Sequence, residues 1–463
     1  MRRGVYCIKR FFVLLFVLIN SCTLYRDGIP TVYFPTLSNP IVEVSSATLL
    51  KNLEKCEEIH PQFANLRNAP FFNPTIENFK RKIPKYDIPT TESVYLQRKI
   101  FDYYTNEDPH FRVIPQLYTT EKKINNKNIK VLPFSVVAIN DTMIIHKTFN
   151  NALKIGDRIV SINQIEAEKF LEYSYRDRYM HTPLLQIQHH FTFSNVYHLT
   201  IERENKVRFL IIEGIPLKEY YSKIKNLETT QIFPDYLTGL FKIDEFKSNK
   251  KTTKRLSLFI DKMKRLGYKN LIIDLRCNPG GDGENIEELM SLISSKNKLL
   301  YQKEIKVKLT NSNYEKYMFP KDSVNKTITL PDKFVINEIE ISPTSFAKEL
   351  NLYVLVSKNT SSMAACFVNL IQYNQIGFVA GEPLAKNALK YGEVVEIKEG
   401  VATFFISTAE YLDYTNAKDG ILNPDIHLNY SAKEHLKNED PVLQGLLNHI
   451  RRQQELKLKN GRL

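Results

Sequence analysis

Two strand–loop–helix units in the C-terminal half limit the folds that this chain of 463 residues can adopt. In the first unit, the mostly apolar strand 270–275 is followed by a glycine-containing loop and then by a helix. In the second, the apolar strand 352–356 leads through the polar loop 358–362 into a helix over 363–373. Strands that alternate with helices across residues 214–445 predict an α/β domain.

Both loops carry residues that suit an acyl-transfer site. Ser362 stands at the start of the predicted helix, where a serine most often caps the helix through its hydroxyl. The amide groups at a helix start also point outward with the helix dipole behind them, which suits a developing oxyanion. Gly280 and Gly281 allow the backbone to approach a ligand closely. The two loops predict half of an acyl-transfer site, and helix capping is the alternative role of Ser362.

Residues 131–213 predict a separate β-rich module. Within it, Gly156-Asp157 is followed by Ile159, Ile162 and Asn163, and this string resembles the signature of PDZ domains. Such domains bind extended peptide ends by adding a strand to the edge of a sheet. A generic turn before a strand is the alternative interpretation. We set the PDZ-like module at 129–213, after a helical N-terminal domain at 46–128.

The N-terminal segment predicts export. Residues 1–10 contain four basic residues and no acid, and the apolar run that follows has nine residues. A helix needs about 20 apolar residues to cross a bilayer core, so this pattern indicates a signal peptide over 1–21. Ile19-Asn20-Ser21-Cys22 resembles the lipobox of bacterial lipoproteins, in which the cysteine carries the lipid. We expect a tether over 22–45 and a protein anchored at Cys22 in the cell envelope (periplasm or outer surface), with an ordinary secretion signal as the alternative.

Composition excludes several other classes of protein. A hydrophobic content of 43% and a charged content of 25% are ordinary for globular chains. The net charge of +13 is spread along the chain, so we expect no nucleic-acid partner. The five cysteines form no zinc-binding spacing, and we expect no metal and no other cofactor. The absence of Trp argues against a glycan-binding lipoprotein. Residues 446–463 form a charged C-terminal tail.

Several motifs occur in the order found in tail-specific (C-terminal processing) serine peptidases. The strand and loop 270–281 and the segment 354–365 resemble that family's Asn-x-Gly-Gly loop and nucleophile segment. Other matches point to its tricorn-like branch: Asp108-Pro109-His110, Gly381-Glu382-Pro383, Tyr391-Gly392-Glu393, Ser407-Thr408, Asn423-Pro424-Asp425-Ile426 and Asp440-Pro441-Val442-Leu443. The resemblance extends over about residues 90–445. It implies a multi-domain α/β (α+β) chain with a crotonase-like α/β peptidase core at 214–445, and a polypeptide substrate.

The resemblance also implies roles for individual residues. Ser362 corresponds to the nucleophile, and the oxyanion hole would combine the N–H of Met363 with that of Gly280 or Gly281. A serine hydroxyl needs a base within hydrogen-bond reach. Tricorn-like members use the histidine of the Asp-Gly-His motif, here His110, which is our first candidate for the general base.

Lysines are the alternative bases. Members with a Ser–Lys dyad place the lysine 25 residues after the serine, which is Asn387 here, so Lys386 is the second candidate and Lys390 the third. The sequence shows no confident third residue that would orient His110. The glutamate that the tricorn type places before its Pro-Asp segment is not evident near Gly420.

Four departures from the family pattern leave two functions open. Near the nucleophile, Ala365 stands where the family has a glutamate, and Met363 stands where it has a small residue. Leu384-Ala385-Lys386 replaces a Thr-Gly-Gly loop. Beside the histidine, Pro109 and Phe111 stand in place of Gly and Thr. The leading interpretation is an exported serine endopeptidase that cleaves extended or unfolded polypeptides. The alternative is a catalytically degenerate surface lipoprotein that binds peptides.

Overall fold

The computed structural model describes the chain from residue 41 onward, in two compact units. The described residues are 41–44, 46–63, 86–89, 104, 107–115, 130–139, 142–168, 179–181, 195–225, 230–276, 278–400, 402–429 and 440–459. The first unit contains residues 41–116 and 230–427, and the second contains 117–229 and the segment from 428 onward. The predicted signal peptide, Cys22 and most of the tether lie outside the described residues.

A six-stranded sheet forms the centre of the first unit. Its strands, in spatial order, are Thr230–Phe233, Thr238–Lys242, Asn270–Asp274, Asn351–Val356, Phe378–Gly381 and Ile426–His427. The first two strands pair antiparallel and all other neighbours pair in parallel. The apolar run 270–274 is buried throughout, as expected for a parallel strand covered on both faces. The sheet confirms the predicted multi-domain α/β fold class.

Three helices follow strands of this sheet: Lys251–Arg265, Ile286–Ile293 and Met363–Tyr373. Lys251–Arg265 buries one stripe, Leu256, Phe259, Ile260 and Met263, whose spacing matches the helical period. By contrast, Met363–Tyr373 is buried on nearly all sides, since Ala364, Ala365 and Phe367 to Ile371 are all covered. The start of Met363–Tyr373 is therefore held in place by the core.

A second sheet in the first unit carries the segment that leads out from His110. It contains Thr327–Thr329, Gln302–Lys308, Ala402–Asp413 and Tyr391–Glu399, and Arg112–Pro115 pairs with Ala402–Asp413. The helix Ser46–Ile59 packs beside it, through Leu53 and Cys56 in one cluster with Phe404 and Ile406. Both elements thus belong with the first unit. The predicted helical domain at 46–128 stays a prediction.

Shorter elements complete the first unit. Lys298–Leu300 pairs with Glu338–Glu340, and Ile41–Val44 pairs with Tyr86–Pro89. The described residues of this unit also form 3₁₀ turns at Pro234–Tyr236, Lys321–Ser323, Asp332–Phe334 and Phe346–Glu349.

The second unit is built on an antiparallel sheet. Its strands are Lys206–Glu213, Val196–Arg203, Arg158–Ile162, Thr142–Thr148, Phe134–Ile139 and Tyr179–His181, with Ile165–Glu166 beside Arg158–Ile162. The predicted strands near 190–201 and 206–213 form a hairpin turned by Glu204 and Asn205, both at positive φ. Most of the predicted helix 166–180 lies outside the described residues, and the PDZ-like assignment stays a prediction.

Two helices and a short strand pair accompany that sheet. Lys130–Val131 pairs with Ile215–Pro216, and the helices are Leu217–Lys225 and Pro441–Lys459. The predicted tail 446–463 thus falls largely within a helix whose Val442, Leu446, Leu447 and Ile450 are buried. In the part of the chain that is described, no helix combines the length and the apolar character that a membrane span requires.

Candidate active site

Ser362 begins the helix Met363–Tyr373 in a conformation that helix caps do not use. Its φ is 54° and its ψ is −130°, and its side chain makes no capping hydrogen bond. An ordinary capping serine lies in the β region and accepts a hydrogen bond from the next turn. Positive φ is uncommon outside glycine, and such strained backbone clusters at functional sites. Helix capping is therefore excluded as the role of the Ser362 hydroxyl, and a sharp strand-to-helix turn presents it instead.

The loop after Asn270–Asp274 contacts this turn. Gly280 has a φ of 104°, and a Cβ there would lie 2.6 Å from Ser362 Cβ and 2.8 Å from Met363 N. Gly281 has a φ of 124°, and its Cβ would lie 2.0 Å from the carbonyl oxygen of Phe246. Both positions require glycine because any side chain would collide with the serine turn or the neighbouring backbone. The structure thus brings the two predicted loops together.

Hydrogen bonds through Asn278 hold the two loops in register. Its Nδ2 donates to the carbonyl of Ile243 at 2.9 Å, and its own carbonyl accepts the N–H of Ser361 at 3.1 Å. Asn278 Oδ1 accepts the N–H of Gly280 at 2.8 Å. Asn278 is fully buried, so these bonds replace the water that its amide would otherwise need.

These contacts distinguish the predicted oxyanion donors. The N–H of Gly280 is already donated to Asn278. Among the described residues, no acceptor is found for the N–H of Gly281 or of Met363. Met363 N–H lies in the first turn of its helix, where amide donors have no partner within the helix. Gly281 and Met363 are therefore the better pair for an oxyanion hole.

His110 is oriented by the carboxylate two residues before it. Asp108 Oδ1 lies 3.3 Å from His110 Nδ1 and accepts the backbone N–H of His110 at 2.8 Å. Because a carboxylate only accepts, His110 Nδ1 carries the proton and Nε2 is left as the proton acceptor. His110 Nε2 is buried and has no hydrogen-bond partner among the described residues. The Asp108–His110 pair is the part of a serine-peptidase triad that orients the base. Ser362 Oγ makes no hydrogen bond with His110 Nε2, so the pair and the serine turn are separate parts of the site.

Asp108 is ionised although it is fully buried. Burial alone would raise the pKa of its carboxyl, but contacts with the imidazoles of His110 and His60 lower that pKa well below its ordinary value. The His60 ring contributes Nε2, which lies 3.3 Å from Asp108 Oδ2. The carboxylate therefore supplies a fixed negative charge next to the candidate base.

The two candidate lysines are engaged in ion pairs. Lys386 Nζ lies 2.7 Å from Glu107 Oε1, and Lys390 Nζ lies 3.3 Å from Glu410 Oε1. In these ion pairs each ammonium is a hydrogen-bond donor to a carboxylate and not a proton acceptor. The geometry therefore favours His110 over Lys386 and Lys390 as the base.

Asn387 occupies the position that holds the lysine in dyad members of the family. Its Nδ2 donates to the carbonyl oxygen of Glu107 at 2.7 Å, and its backbone N–H donates to the carbonyl of Gly420 at 2.7 Å. Glu107 directly precedes Asp108. Through these contacts with Glu107, Asn387 and Lys386 restrain the loop that carries His110.

Cys366 packs as part of the core. It lies against the main hydrophobic cluster of the first unit, one helical turn beyond Ser362. Burial raises the pKa of its thiol well above the ordinary value. The nucleophilic form of cysteine is the thiolate, so this thiol is poorly suited to compete with Ser362.

Sequence reasoning missed the residues that orient the candidate base. Asp108 stands in the quoted Asp108-Pro109-His110 motif, so its spacing from His110 could have identified it. Nothing in the sequence near His60 pointed to Asp108. Glu107 and Asn387 gave no signal either, because their contact joins segments 280 residues apart. Among the described residues, no group of three or more His, Cys, Asp or Glu is placed to hold a metal ion.

The comparisons agree with the motif resemblance. Residues 237–428 match the family model described as peptidase family S41. A solved structure of mature CPAF complexed with lactacystin superposes with a TM-score of 0.58 at 13% identity, covering 90% of this chain and 99% of that chain. A second structure of mature CPAF gives a TM-score of 0.57 at 13% identity, covering 87% and 96%. No curated protein sequence matches the chain.

At this identity the CPAF structures show a shared fold, while the family model covers the segment that contains both loops of the site. Gly280, Gly281 and Ser362 all fall within the matched residues. The segment 237–428, which contains both loops of the site, therefore matches peptidase family S41, the tail-specific serine peptidases.

Proposed function

We propose that this protein is an exported serine endopeptidase that hydrolyses extended or unfolded polypeptides through an acyl-enzyme on Ser362. The observation that carries the proposal is the pair formed by Asp108 and His110, which leaves His110 Nε2 as a buried proton acceptor. We also place the chain in the tricorn-like branch of the family. A histidine base and two ion-paired lysines support that placement.

Acylation begins with the Ser362 hydroxyl. Its oxygen attacks the carbonyl carbon of the scissile peptide bond while its proton passes to His110 Nε2. The carbonyl oxygen becomes an oxyanion, which the N–H groups of Met363 and Gly281 stabilise. The peptide C–N bond then breaks, and His110 returns the proton to the departing amine. The acyl group stays on Ser362 as an ester.

Deacylation repeats these steps with water as the nucleophile. A water molecule gives a proton to His110 Nε2 as its oxygen attacks the ester carbon. The bond to Ser362 breaks, the serine oxygen takes the proton back, and the new carboxyl end is released. Throughout, Asp108 remains ionised and stabilises the imidazolium form of His110.

The sequence supports the exported and polypeptide-binding parts of the proposal. The basic and apolar N-terminus supports export, and the lipobox resemblance supports an anchor at Cys22. The β-rich sheet of the second unit ends at the strand Lys206–Glu213, consistent with a module that receives an extended peptide. A peptide-binding protein without turnover is the competing function, and the altered position Ala365 is its main support.

Proteolysis by the purified protein tests the proposal. The wild type is incubated with unfolded proteins, and new termini are identified by mass spectrometry beside Ser362→Ala and the matched control Ser361→Ala. We expect new termini from the wild type and from Ser361→Ala, and none from Ser362→Ala. Cleavage that persists in Ser362→Ala, or its absence from a folded wild type, would contradict the proposal. Lactacystin, with which one CPAF structure is complexed, is tested as a ligand of this chain, with Ser362→Ala as the control.

A further inference from the structure

A second histidine lies on the far side of Asp108 from His110. His60 directly follows the helix Ser46–Ile59, and its side chain is fully buried. Its ring stacks on Phe63 with a centroid separation of 3.6 Å and lies 4.7 Å from the ring of Tyr391. Its backbone N–H donates to the carbonyl of Cys56 at 3.0 Å, which continues the helical hydrogen bonding. The ring therefore has little freedom to reorient.

The contacts of His60 define its protonation. The backbone N–H of Gln62 donates to His60 Nδ1 at 3.1 Å, so Nδ1 is an acceptor and Nε2 carries the proton. Burial lowers the pKa of His60, although Asp108 and Glu410 oppose the shift. His60 is therefore neutral, and its Nε2–H faces Asp108 Oδ2 across 3.3 Å.

The two oxygens of Asp108 are thus divided between two imidazoles. Oδ1 faces His110 Nδ1, and Oδ2 faces His60 Nε2. Neither His60 Nε2 nor Asp108 Oδ2 meets hydrogen-bond geometry, so His60 acts on Oδ2 by electrostatic attraction across 3.3 Å. Without the imidazole, the buried charge on Oδ2 would lose this compensation, which is costly. A carboxyl group held on one side only could also rotate away from His110. The contact with His60 therefore restrains Oδ2, while the contacts with His110 restrain Oδ1.

We propose that His60 is a positioning residue for the reaction: its Nε2–H holds Asp108 so that His110 keeps its proton on Nδ1 and its lone pair on Nε2. This inference rests on the proposed function, because it assigns His110 as the base. If the inference holds, catalysis depends on the segment around the helix Ser46–Ile59, which lies well before the family-matched residues 237–428 in the sequence.

Other ionisable groups surround His60 and enter its pH behaviour. Gln62 Nε2 donates to Glu410 Oε2 at 2.7 Å, and Lys390 pairs with the same carboxylate. Burial raises the pKa of Tyr391, so this phenol is uncharged near neutrality. Asp108 is the ionised group that faces Nε2 directly.

Two substitutions test the role of His60 by kinetics. His60→Phe keeps the stack on Phe63 and removes the donor, whereas His60→Gln keeps an N–H donor near the position of Nε2. We expect His60→Phe to lower kcat roughly tenfold to hundredfold with KM unchanged, as for other partners that orient a reacting group. The acid limb of its kcat/KM profile moves to lower pH, because an Asp108 carboxylate that is free to rotate stabilises the His110 imidazolium less. His60→Gln restores most of kcat and the wild-type limb.

The result that overturns the inference is a folded His60→Phe, judged by thermal unfolding, with wild-type kcat and an unmoved acid limb. Equal losses in both variants also overturn it, because they indicate a packing role. A wild type that fails to cleave in a Ser362-dependent manner defeats the proposed function instead.

Imidazole ¹⁵N NMR of the wild type tests the inference without turnover. We expect His60 to carry its proton on Nε2 and His110 on Nδ1. The opposite tautomer at His60 overturns the inference, even if His60→Phe fails to fold.

Discussion

Two carboxyl groups of the first unit are almost equally buried and yet behave oppositely. Asp108 is 0% exposed and lies between two imidazoles, which hold its pKa well below the ordinary value. Asp413, at the end of the strand Ala402–Asp413, is 4% exposed, and neither of its oxygens finds a hydrogen-bond partner among the described residues. Burial raises the pKa of Asp413 to about 7. Asp108 Oδ2 also lacks a hydrogen-bond partner, but Oδ1 accepts the backbone N–H of His110 and both oxygens face imidazoles. These neighbours, and not burial, decide which buried carboxyl stays charged.

The two groups also affect stability with opposite sign. Asp108 has a lowered folded-state pKa, so it stabilises the fold above its unfolded pKa of about 3.9 and loses this contribution as the pH falls. Asp413 has a raised pKa, so its contribution is present at low pH and is lost as the pH rises through about 7. In the pH range where ionisation of Asp413 lowers the stability of the fold, Asp108 stays ionised and still stabilises it.

Replacing each carboxyl with an amide separates the two roles. Asp108→Asn allows His110 to carry its proton on Nε2, the wrong tautomer for a base, so kcat falls by about 10³–10⁴-fold. Asp413→Asn leaves kcat within about threefold, because its neighbours Tyr301 and Cys366 lie outside the His110 arrangement. Steady-state kinetics on a peptide substrate measures both. Similar losses in the two variants would contradict the distinction between the carboxyls.

A substitution at Gly280 disturbs the turn that carries Ser362 and leaves Asp108 and His110 unchanged. Gly280→Ala places a Cβ 2.6 Å from Ser362 Cβ at a φ of 104°, so the turn must shift. We expect kcat/KM to fall by about 10²-fold or more, since a displacement of about 1 Å can cost that much. The acid limb of the profile stays in place because Asp108 and His110 are untouched. A moved limb would show that the two parts of the site are coupled.

The stability of Asp413→Asn measures the penalty of the unpartnered carboxyl. Between about pH 5 and about pH 8, a shift from about 3.9 to about 7 costs the wild type about 2–3 kcal/mol, and the uncharged amide avoids this loss. The stability of the variant relative to wild type therefore rises by that amount over this range. Urea unfolding at both pH values gives the difference. A relative stability that does not change with pH would place a donor near Asp413.

The smallest effect is expected at the exposed ion pair beside the His110 loop. Lys386→Ala removes the pair with Glu107, but Asn387 still tethers the Glu107 carbonyl. The lysine side chain is 46% exposed, and exposed pairs are worth about 0–1 kcal/mol. We expect kcat/KM to change by less than about threefold, measured beside Asn387→Ala. A loss as large as that of His110→Ala would make Lys386 the base.

The sequence predicted the strands and loops of the site well because their residues are local in the chain. The strand 270–275, the glycine loop and the helix that begins at Met363 follow from apolar runs, Gly-Gly and a helix start within short segments. The division into units was harder to predict. Arg112–Pro115 pairs with Ala402–Asp413, nearly 300 residues away, and no local pattern reports such a pairing.

The residues of the candidate site likewise differ in how well the sequence predicts them. Ser362, Gly280, Gly281 and His110 each stand in a motif with the right spacing. The contacts of Asp108 with His60, and of Glu107 with Asn387, join distant segments through single side chains. Such contacts leave no periodic pattern, and Asn387 stands where family members with a dyad have lysine. The tricorn-like branch and the PDZ-like module remain predictions.

The reactivity of Ser362 towards a fluorophosphonate tests the central claim most directly. The probe forms a phosphorus–oxygen bond with an activated serine and loses fluoride, and the labelled peptide is identified by mass spectrometry. We expect label on Ser362 in the wild type, none in Ser362→Ala, and labelling slowed by at least about 10²-fold in His110→Ala and Asp108→Asn. A folded wild type that takes no label, or equal labelling rates in His110→Ala and wild type, would contradict the assignment of Ser362 and His110 as nucleophile and base.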